Sequence, residues 1–173
     1  MPLLESDQKI LLPARASFII FTFLVALVFN LLPWRDVRGV PDLLALVIAF
    51  WATHQPRRVG VGVAWMLGLL MDTANGVLIG QYALGYAVLA FLANALSRRV
   101  LRFPLLPQAL HMLIILLLSQ ALMLGVRMLA GGTFPGFSIF IGPVIDALLW
   151  PVASFLMLAP QRAPENVDET RPI

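Results

Sequence analysis

The chain has 173 residues, of which 60% are hydrophobic and 12% charged, with a formal net charge of +3 and no cysteine. Because ordinary globular domains carry about 25% charged residues, this composition predicts one transmembrane domain over residues 1–160 and a disordered cytoplasmic tail over 161–173. The basic residues fall in short clusters between apolar runs, which argues against a nucleic-acid surface, and the lack of cysteine excludes disulfides, thiol nucleophiles and cysteine metal sites.

The N-terminal segment does not look like a cleaved signal peptide. Residues 1–13 carry Glu5 and Asp7, and no small-x-small cleavage site follows the first apolar run. We therefore expect this run to stay as a membrane anchor. In chain order, six apolar runs predict an all-α polytopic membrane protein with six transmembrane helices: Phe18–Leu32, Leu43–Thr53, Val59–Met71, Tyr82–Leu96, Ala109–Ala130 and Ile139–Leu158.

The second and third runs are short against the ~20 residues that a helix needs to cross a bilayer. A re-entrant pair would leave Arg57 and Arg58 at membrane depth, at a cost of roughly 2.5–3.5 kcal/mol each. Two full crossings, with local thinning of the bilayer, are therefore favoured. The second run starts at Pro41-Asp42, where the aspartate can cap the free amides of a helix.

The basic residues predict the orientation. If the N-terminus is cytoplasmic, only Arg35, Arg38 and Arg127 of the twelve basic residues lie outside. By the positive-inside rule both termini are then cytoplasmic, and Trp34 and Trp150 would anchor span ends at the interface. The remaining nine lie inside: Lys9, Arg15, Arg57, Arg58, Arg98, Arg99, Arg102, Arg162 and Arg171.

Small residues recur every fourth position along the third run. Where this run is helical they line one face, and small residues let a neighbouring backbone approach closely in lipid. Two interpretations stay open: a tight internal seam, which we favour, and a docking face for another transmembrane helix. The series is Gly60, Ala64, Gly68, Asp72, Gly76 and Gly80, and the fourth run adds Ala83, Ala87, Ala90 and Ala93.

Three charged residues fall in the outer half of the predicted spans. Asp72 ends the third run, Arg127 lies near the end of the fifth, and Asp146 lies in the sixth between Pro143 and Pro151, which should disrupt that helix. Charges inside membranes usually pair, so the simplest interpretation is that Arg127 neutralises one aspartate. The alternatives are a substrate or ion site formed by the two aspartates, and a partner-binding role.

Catalytic patterns do not stand out. His54 and His111 lie near span ends without metal-ligand spacing, and no serine occupies a nucleophile elbow. No glycine-rich phosphate loop follows a predicted strand. We therefore predict no enzyme activity, no cofactor and no metal site.

A block of residues in the first half of the chain resembles the MreD family of bacterial rod shape-determining proteins. The matching length covers about residues 10 to 160, and the distinctive parts are Pro41-Asp42, Gly68-Leu69-Leu70-Met71-Asp72, Gly76, Gly80-Gln81 and Tyr82-Ala83-Leu84. That family is similar in fold to the substrate-binding subunits of energy-coupling-factor transporters. The resemblance implies a multi-pass protein of the bacterial inner membrane.

The resemblance also implies a function. MreD-like proteins are non-catalytic scaffolds of cell elongation and lateral peptidoglycan synthesis. They dock an MreC-like single-span protein and, through it, the MreB filament and the elongation polymerase–transpeptidase pair. The short basic loops would lie against anionic lipid or a cytoplasmic partner. The candidate partner-binding or structural residues are Gly68, Asp72, Gly76, Gly80, Gln81, Arg127 and Asp146.

A second class of function stays open beside the scaffold. A small-molecule-binding or transport subunit would use a pocket near Asp72 and Asp146. The two classes differ in whether the outer half of the bundle has a closed, polar cavity or is packed with side chains. The short outer loops and scarce polar donors favour a filled interior.

Overall fold

The computed structural model describes residues 14–33 and 39–161, and the regular elements in these ranges are helical. The all-α prediction is therefore confirmed, and each predicted apolar run coincides with one helix. Lys9, Trp34, Arg35, Arg38 and the predicted tail from Arg162 onward, with Arg171, lie outside the described residues. Gln161, which the prediction placed in the disordered tail, is buried at the end of a short 3-10 helix. The helices are α1 Ala16–Leu31, α2 Leu43–His54, α3 Val61–Asn75, α4 Gln81–Val100, α5 Leu105–Leu129 and α6 Ile141–Leu158, with short 3-10 helices at Phe137–Phe140 and Ala159–Gln161.

Two segments of the described chain are long and apolar enough to cross a membrane, judged by length and composition: Leu105–Leu129 and Phe137–Gln161. Helices α1 and α2 are apolar but have only 16 and 12 residues. At 1.5 Å per residue α2 is about 18 Å long, against about 30 Å of bilayer hydrocarbon. Six crossings therefore stay a prediction.

Helix α2 is the centre of the bundle. Its residues from Leu44 to Thr53 are all buried, because α1, α4 and α6 pack around it. Trp51 of α2 packs edge-on against Phe18 and donates from Nε1 to the Thr22 hydroxyl at 2.9 Å. Helix α4 also packs on α3 and α5, and α5 packs on α6. A 12-residue helix is thus held by contacts on every side.

The antiparallel helices give the bundle two chemically different ends. At one end Asp72 and Asp146 are buried and Asp42 is half-buried, near the end of α3 and the starts of α2, α4 and α6; we call it the aspartate end. At the opposite end the arginines of the helix termini are exposed, and Arg58 donates to the carbonyl of Ala14 at 2.8 Å. This arginine end comprises Arg15, Arg57, Arg58, Arg98, Arg99 and Arg102.

Two expectations for α6 were wrong. Trp150 is fully buried, and its Nε1 donates to Oε1 of Gln108 at 3.3 Å, so it is not an interfacial anchor. The two prolines do not interrupt the helix, which is continuous from Ile141 to Leu158. Pro143 lies in the first turn, where the missing N–H would have had no helical acceptor, and Pro151 removes a single helical hydrogen bond.

Candidate functional site

Asp72 joins the end of α3 to the start of α4. Its fully buried carboxylate accepts hydrogen bonds from the amides of Tyr82 at 2.7 Å, Gly80 at 2.8 Å and Ala83 at 3.3 Å. The first amides of a helix have no partner inside the helix, and the positive end of the helix dipole favours a negative charge there. Asp72 therefore caps α4 from the preceding helix.

The backbone of Asp72 also ends α3. Its carbonyl accepts from the amide of Val77 at 3.1 Å, while the amide of Gly76 donates to Thr73 at 3.3 Å. Gly76 has a φ of 61°, so the turn is a Schellman motif, which requires a left-handed residue at this point. Gly80 has a φ of 107° and precedes the first residue of α4, Gln81, whose side chain is buried.

Gly68 lies where α3 and α4 touch. A Cβ atom on Gly68 would come within 2.6 Å of the Ala83 nitrogen and 2.7 Å of the Tyr82 carbonyl carbon. Ala64 is also buried on this face. Hence Gly68 and Ala64 of α3 pack inside the molecule, whereas Gly76 and Gly80 belong to the turn between α3 and α4.

A second polar cluster, around Asp42, was not singled out as a site from the sequence. The Asp42 carboxylate accepts from Asn30 Nδ2 at 2.6 Å, from the Ala45 amide at 2.9 Å and from the Tyr86 hydroxyl at 2.8 Å. The Ala45 bond confirms the predicted cap on α2. The bonds from Asn30 and Tyr86 attach the end of α1 and the first turns of α4 to the same carboxylate.

Asp146 belongs to this second cluster. It is 1% exposed, and its Oδ2 accepts from the backbone amide of Asp42 at 3.0 Å. Among the residues that the structure describes, its Oδ1 has no hydrogen-bond partner, and neither has the buried Oδ1 of Asn30. Asp146 therefore contacts the start of α2. The two-aspartate site would have required it to lie with Asp72 instead.

Arg127 lies at the aspartate end but does not join either aspartate. In the described ranges, the hydrogen bonds to Asp72 and Asp146 come from backbone amides. Arg127 is half-buried and packs closely on Gly132, whose amide donates to the Arg127 carbonyl at 2.9 Å. The expected neutralisation of an aspartate by Arg127 is not seen in this part of the chain.

A cavity of about 780 Å³ adjoins the second cluster. It opens between the ends of α1 and α3 and the starts of α2 and α6, and its polar lining includes Asn30, Asp42, Asn75, Tyr82 and Gln120. The cavity is open to the outside and not closed, so the expectation of a packed interior at this end stays a prediction. The described residues contain no group of three histidine, aspartate or glutamate side chains placed to hold a metal ion.

The second cluster could have been found only by combining weak signals. Asp42 and Asp146 are 104 residues apart, so no local motif contains them both. If successive helices alternate in direction, however, the end of the first run and the starts of the second, fourth and sixth runs lie at the same end of the bundle. Asn30, Asp42, Tyr86 and Asp146 are among the polar or hydroxyl side chains near those positions.

Comparison with known proteins identifies relatives of the whole bundle. The sequence model of the family described as rod shape-determining protein MreD matches residues 13–159. The chain is similar to the rod shape-determining protein MreD of Haemophilus influenzae, at 28% identity over 138 residues, which cover 78% of this chain and 85% of that relative. A search of solved structures gives no match.

Proposed function

We propose that this chain, which belongs to the MreD family of rod shape-determining proteins, is a non-catalytic membrane scaffold of bacterial cell elongation. Family membership supports a role in rod shape determination, because the match covers residues 13–159, nearly all of the helical bundle. That match is the observation that carries the proposal. The finer role is to dock an MreC-like single-span protein and, through it, the MreB filament and the polymerase–transpeptidase pair of lateral peptidoglycan synthesis.

The chemistry of Asp72 supports a structural role for the most distinctive motif. Its carboxylate already receives three backbone amides and has no exposed surface. A group in this state is poorly placed to bind a substrate or move a proton. In the scaffold proposal it fixes the turn between α3 and α4, and with it the surface of the aspartate end that a partner would contact.

The proposed arrangement in the membrane is six crossings of the inner membrane with both termini in the cytoplasm. The aspartate end then faces the periplasm, and the arginine end faces the cytoplasm. Exposed arginines at the arginine end would attract anionic lipid, at about 1 kcal/mol for each residue near the surface. Large apolar side chains exposed on α1 and α6, such as Phe21, Leu24, Leu148 and Val152, are suited to contact with lipid or with a partner helix.

The test is complementation joined to co-purification. The tagged chain is expressed in a rod-shaped bacterium that lacks its own MreD, and its membranes are solubilised in mild detergent. We expect restored rod shape and recovery of the MreC-like protein with the tag. Restored shape without that partner would contradict docking, and an unrestored shape at normal expression would contradict the scaffold itself.

The cavity favours a second candidate, a small-molecule-binding or transport subunit. Of the two aspartates first considered for it, Asp72 accepts hydrogen bonds from three backbone amides, while Oδ1 of Asp146 has no hydrogen-bond partner in the described part of the chain. Any such pocket would therefore use the second cluster, not the motif at Asp72. Measured uptake of a solute that depends on this protein would favour this candidate over the scaffold.

A further inference from the structure

A groove runs along the side of the bundle between α1 and α6. Both helices pack on α2, which forms the floor, and the groove between them has a volume of about 470 Å³ and an almost wholly apolar lining. Phe21, Val25 and Leu156 are exposed members of this lining. Phe18 in the first turn of α1 and Met157 in the last turn of α6 also line it. The groove therefore reaches the arginine end, and an occupant must be hydrocarbon-like where it touches the lining.

Two arginines lie where the groove reaches the arginine end. Arg15 is exposed and precedes Phe18 by three residues and Thr22 by seven, so it stands at the start of the helix face that lines the groove. Arg58 is exposed as well and donates to the carbonyl of Ala14 at 2.8 Å, which brings a second guanidinium group to the start of α1. Arginine side chains keep their charge in water while their stems follow apolar surface. The apolar groove thus has a positively charged mouth.

The dimensions of the groove favour a lipid chain over a partner helix. A helix with its side chains is about 10–12 Å wide, so a 12-residue length of it occupies about 1,700 Å³, whereas the groove holds about 470 Å³. Close helix packing in lipid also uses small residues, but those of the α1 wall already face α2. Trp51 donates to Thr22 at 2.9 Å, and Ala26 is 2% exposed. An acyl chain is thinner than a helix, and a lipid phosphate supplies the negative charge that suits the arginines.

We propose that this groove binds an anionic phospholipid, with one acyl chain between α1 and α6 and the headgroup phosphate at Arg15 and Arg58. In the proposed orientation this is a lipid of the cytoplasmic leaflet. The site goes beyond the scaffold function and does not require it, because the groove and both arginines belong to this chain. It also differs from a general attraction of anionic lipid to the arginine end, since it requires the groove and only two of the arginines.

The first test compares two phospholipids on the purified, delipidated protein in an uncharged detergent. Dioleoylphosphatidylglycerol is the anionic probe, and dioleoylphosphatidylcholine, with the same chains and a zwitterionic headgroup, is the control. A ligand that binds the folded state raises the unfolding midpoint, so titration gives an apparent dissociation constant for each lipid. Two arginines at about 1 kcal/mol each near anionic lipid correspond to an about 30-fold lower dissociation constant for the anionic probe. Equal dissociation constants would overturn the proposal.

Arginine variants locate the headgroup. Arg15→Gln removes one of the two cations and should reduce the preference for phosphatidylglycerol to about 5-fold. Arg99→Gln is the matched control, because Arg99 is exposed at the same end but belongs to α4, which does not line the groove. This control should keep the full preference. An equal reduction in both variants would mean that the lipid responds to the total charge of the arginine end, and it would overturn the site.

Two valines of α1 test the place of the acyl chain. Val25 and Val28 are 52% and 61% exposed, so a larger side chain at either position extends outward and leaves the core intact. Only Val25 lines the groove. Val25→Trp should fill it and weaken the binding of both lipids several-fold, whereas Val28→Trp should bind them as the wild type does. Unchanged lipid binding in Val25→Trp would show that the chain does not lie in this groove.

The same two variants distinguish the other possible occupants. If a partner helix fills the groove, Val25→Trp should recover less of the MreC-like protein than Val28→Trp while its lipid binding stays unchanged. If residues 1–13 of this chain fill it, Val25→Trp should lower the midpoint in the absence of lipid and again leave lipid binding unchanged. Either outcome would overturn the lipid site. The titrations use this chain alone, so their result stands whether or not the scaffold proposal fails.

Discussion

At the scale of single residues, three of the nine acidic side chains lie in the described ranges, and each is held by a different set of donors. Asp72 receives only backbone amides, Asp42 receives an amide and two side-chain donors, and Asp146 receives one amide. The sequence predicted that these aspartates are structural or site residues, but it did not predict which groups donate hydrogen bonds to them. The difference arises from which helix end each carboxylate reaches, and a sequence does not show this directly.

The capping role of Asp72 gives a graded prediction. In Asp72→Asn one side of the carboxylate becomes an NH₂ group that faces amide donors, so at least one buried donor loses its acceptor, at about 1–3 kcal/mol. In Asp72→Leu all three amide donors lose their acceptor, so the loss of stability should be larger. Unfolding midpoints in detergent and cell shape at matched expression check the order wild type, Asn, Leu. Equal and complete loss in both variants would indicate that the charge itself acts on a ligand.

Tyr86 offers a cleaner test of the second cluster. Tyr86→Phe removes the hydroxyl that donates to Asp42, and hydrogen bonds to charged groups contribute about 1.5–3 kcal/mol. Tyr82→Phe, one turn earlier on α4, is the control, because the Tyr82 hydroxyl makes no hydrogen bond to the residues that the structure describes. We expect a lower free energy of unfolding for Tyr86→Phe than for Tyr82→Phe. Equal values would show that the tyrosine–aspartate bond adds little.

At the scale of helices, the apolar runs located all six elements within a few residues, since hydrophobic length is the main signal for such helices. They could not show which helix is central. Helix α2 is as apolar as a lipid-facing helix, yet Leu44 to Thr53 are buried by protein. Trp150 was misplaced for the same reason, because hydrophobicity does not distinguish burial in protein from burial in lipid. The second cluster, which depends on contacts over 104 residues, was out of reach for local patterns.

The contact between α3 and α4 predicts opposite effects for two glycines on one helix. Even the single methyl of Gly68→Ala would overlap the backbone of Ala83, and overpacking of this kind costs about 1–3 kcal/mol. Gly62 has open space around it, so Gly62→Ala should be neutral or gain up to about 1 kcal/mol of helix propensity. Denaturation of both variants in the same detergent checks this. A Gly68→Ala variant as stable as Gly62→Ala would contradict the close approach of the two helices.

At the scale of the whole molecule, the bundle separates its charges. Of the seven arginines in the described ranges, six lie at the arginine end and Arg127 alone lies at the aspartate end. The fold therefore places these six arginines at one end of the bundle. From the sequence alone they could be assigned to one side of the membrane only by counting the predicted spans. Under the positive-inside rule, this distribution favours a cytoplasmic arginine end and a periplasmic cavity.

This orientation can be tested with single cysteines, because the chain has none of its own. Arg57, Arg99 and Thr133 are all exposed, and Thr133 avoids Gly132, where a side chain would crowd Arg127. In intact cells a membrane-impermeant thiol reagent should label Thr133→Cys and leave Arg57→Cys and Arg99→Cys unlabelled until the cells are opened. Labelling of Arg57→Cys in intact cells would mean that α2 and α3 do not both cross the membrane. If Arg99→Cys were labelled and Thr133→Cys protected, the bundle would have the opposite orientation, with the cavity facing the cytoplasm.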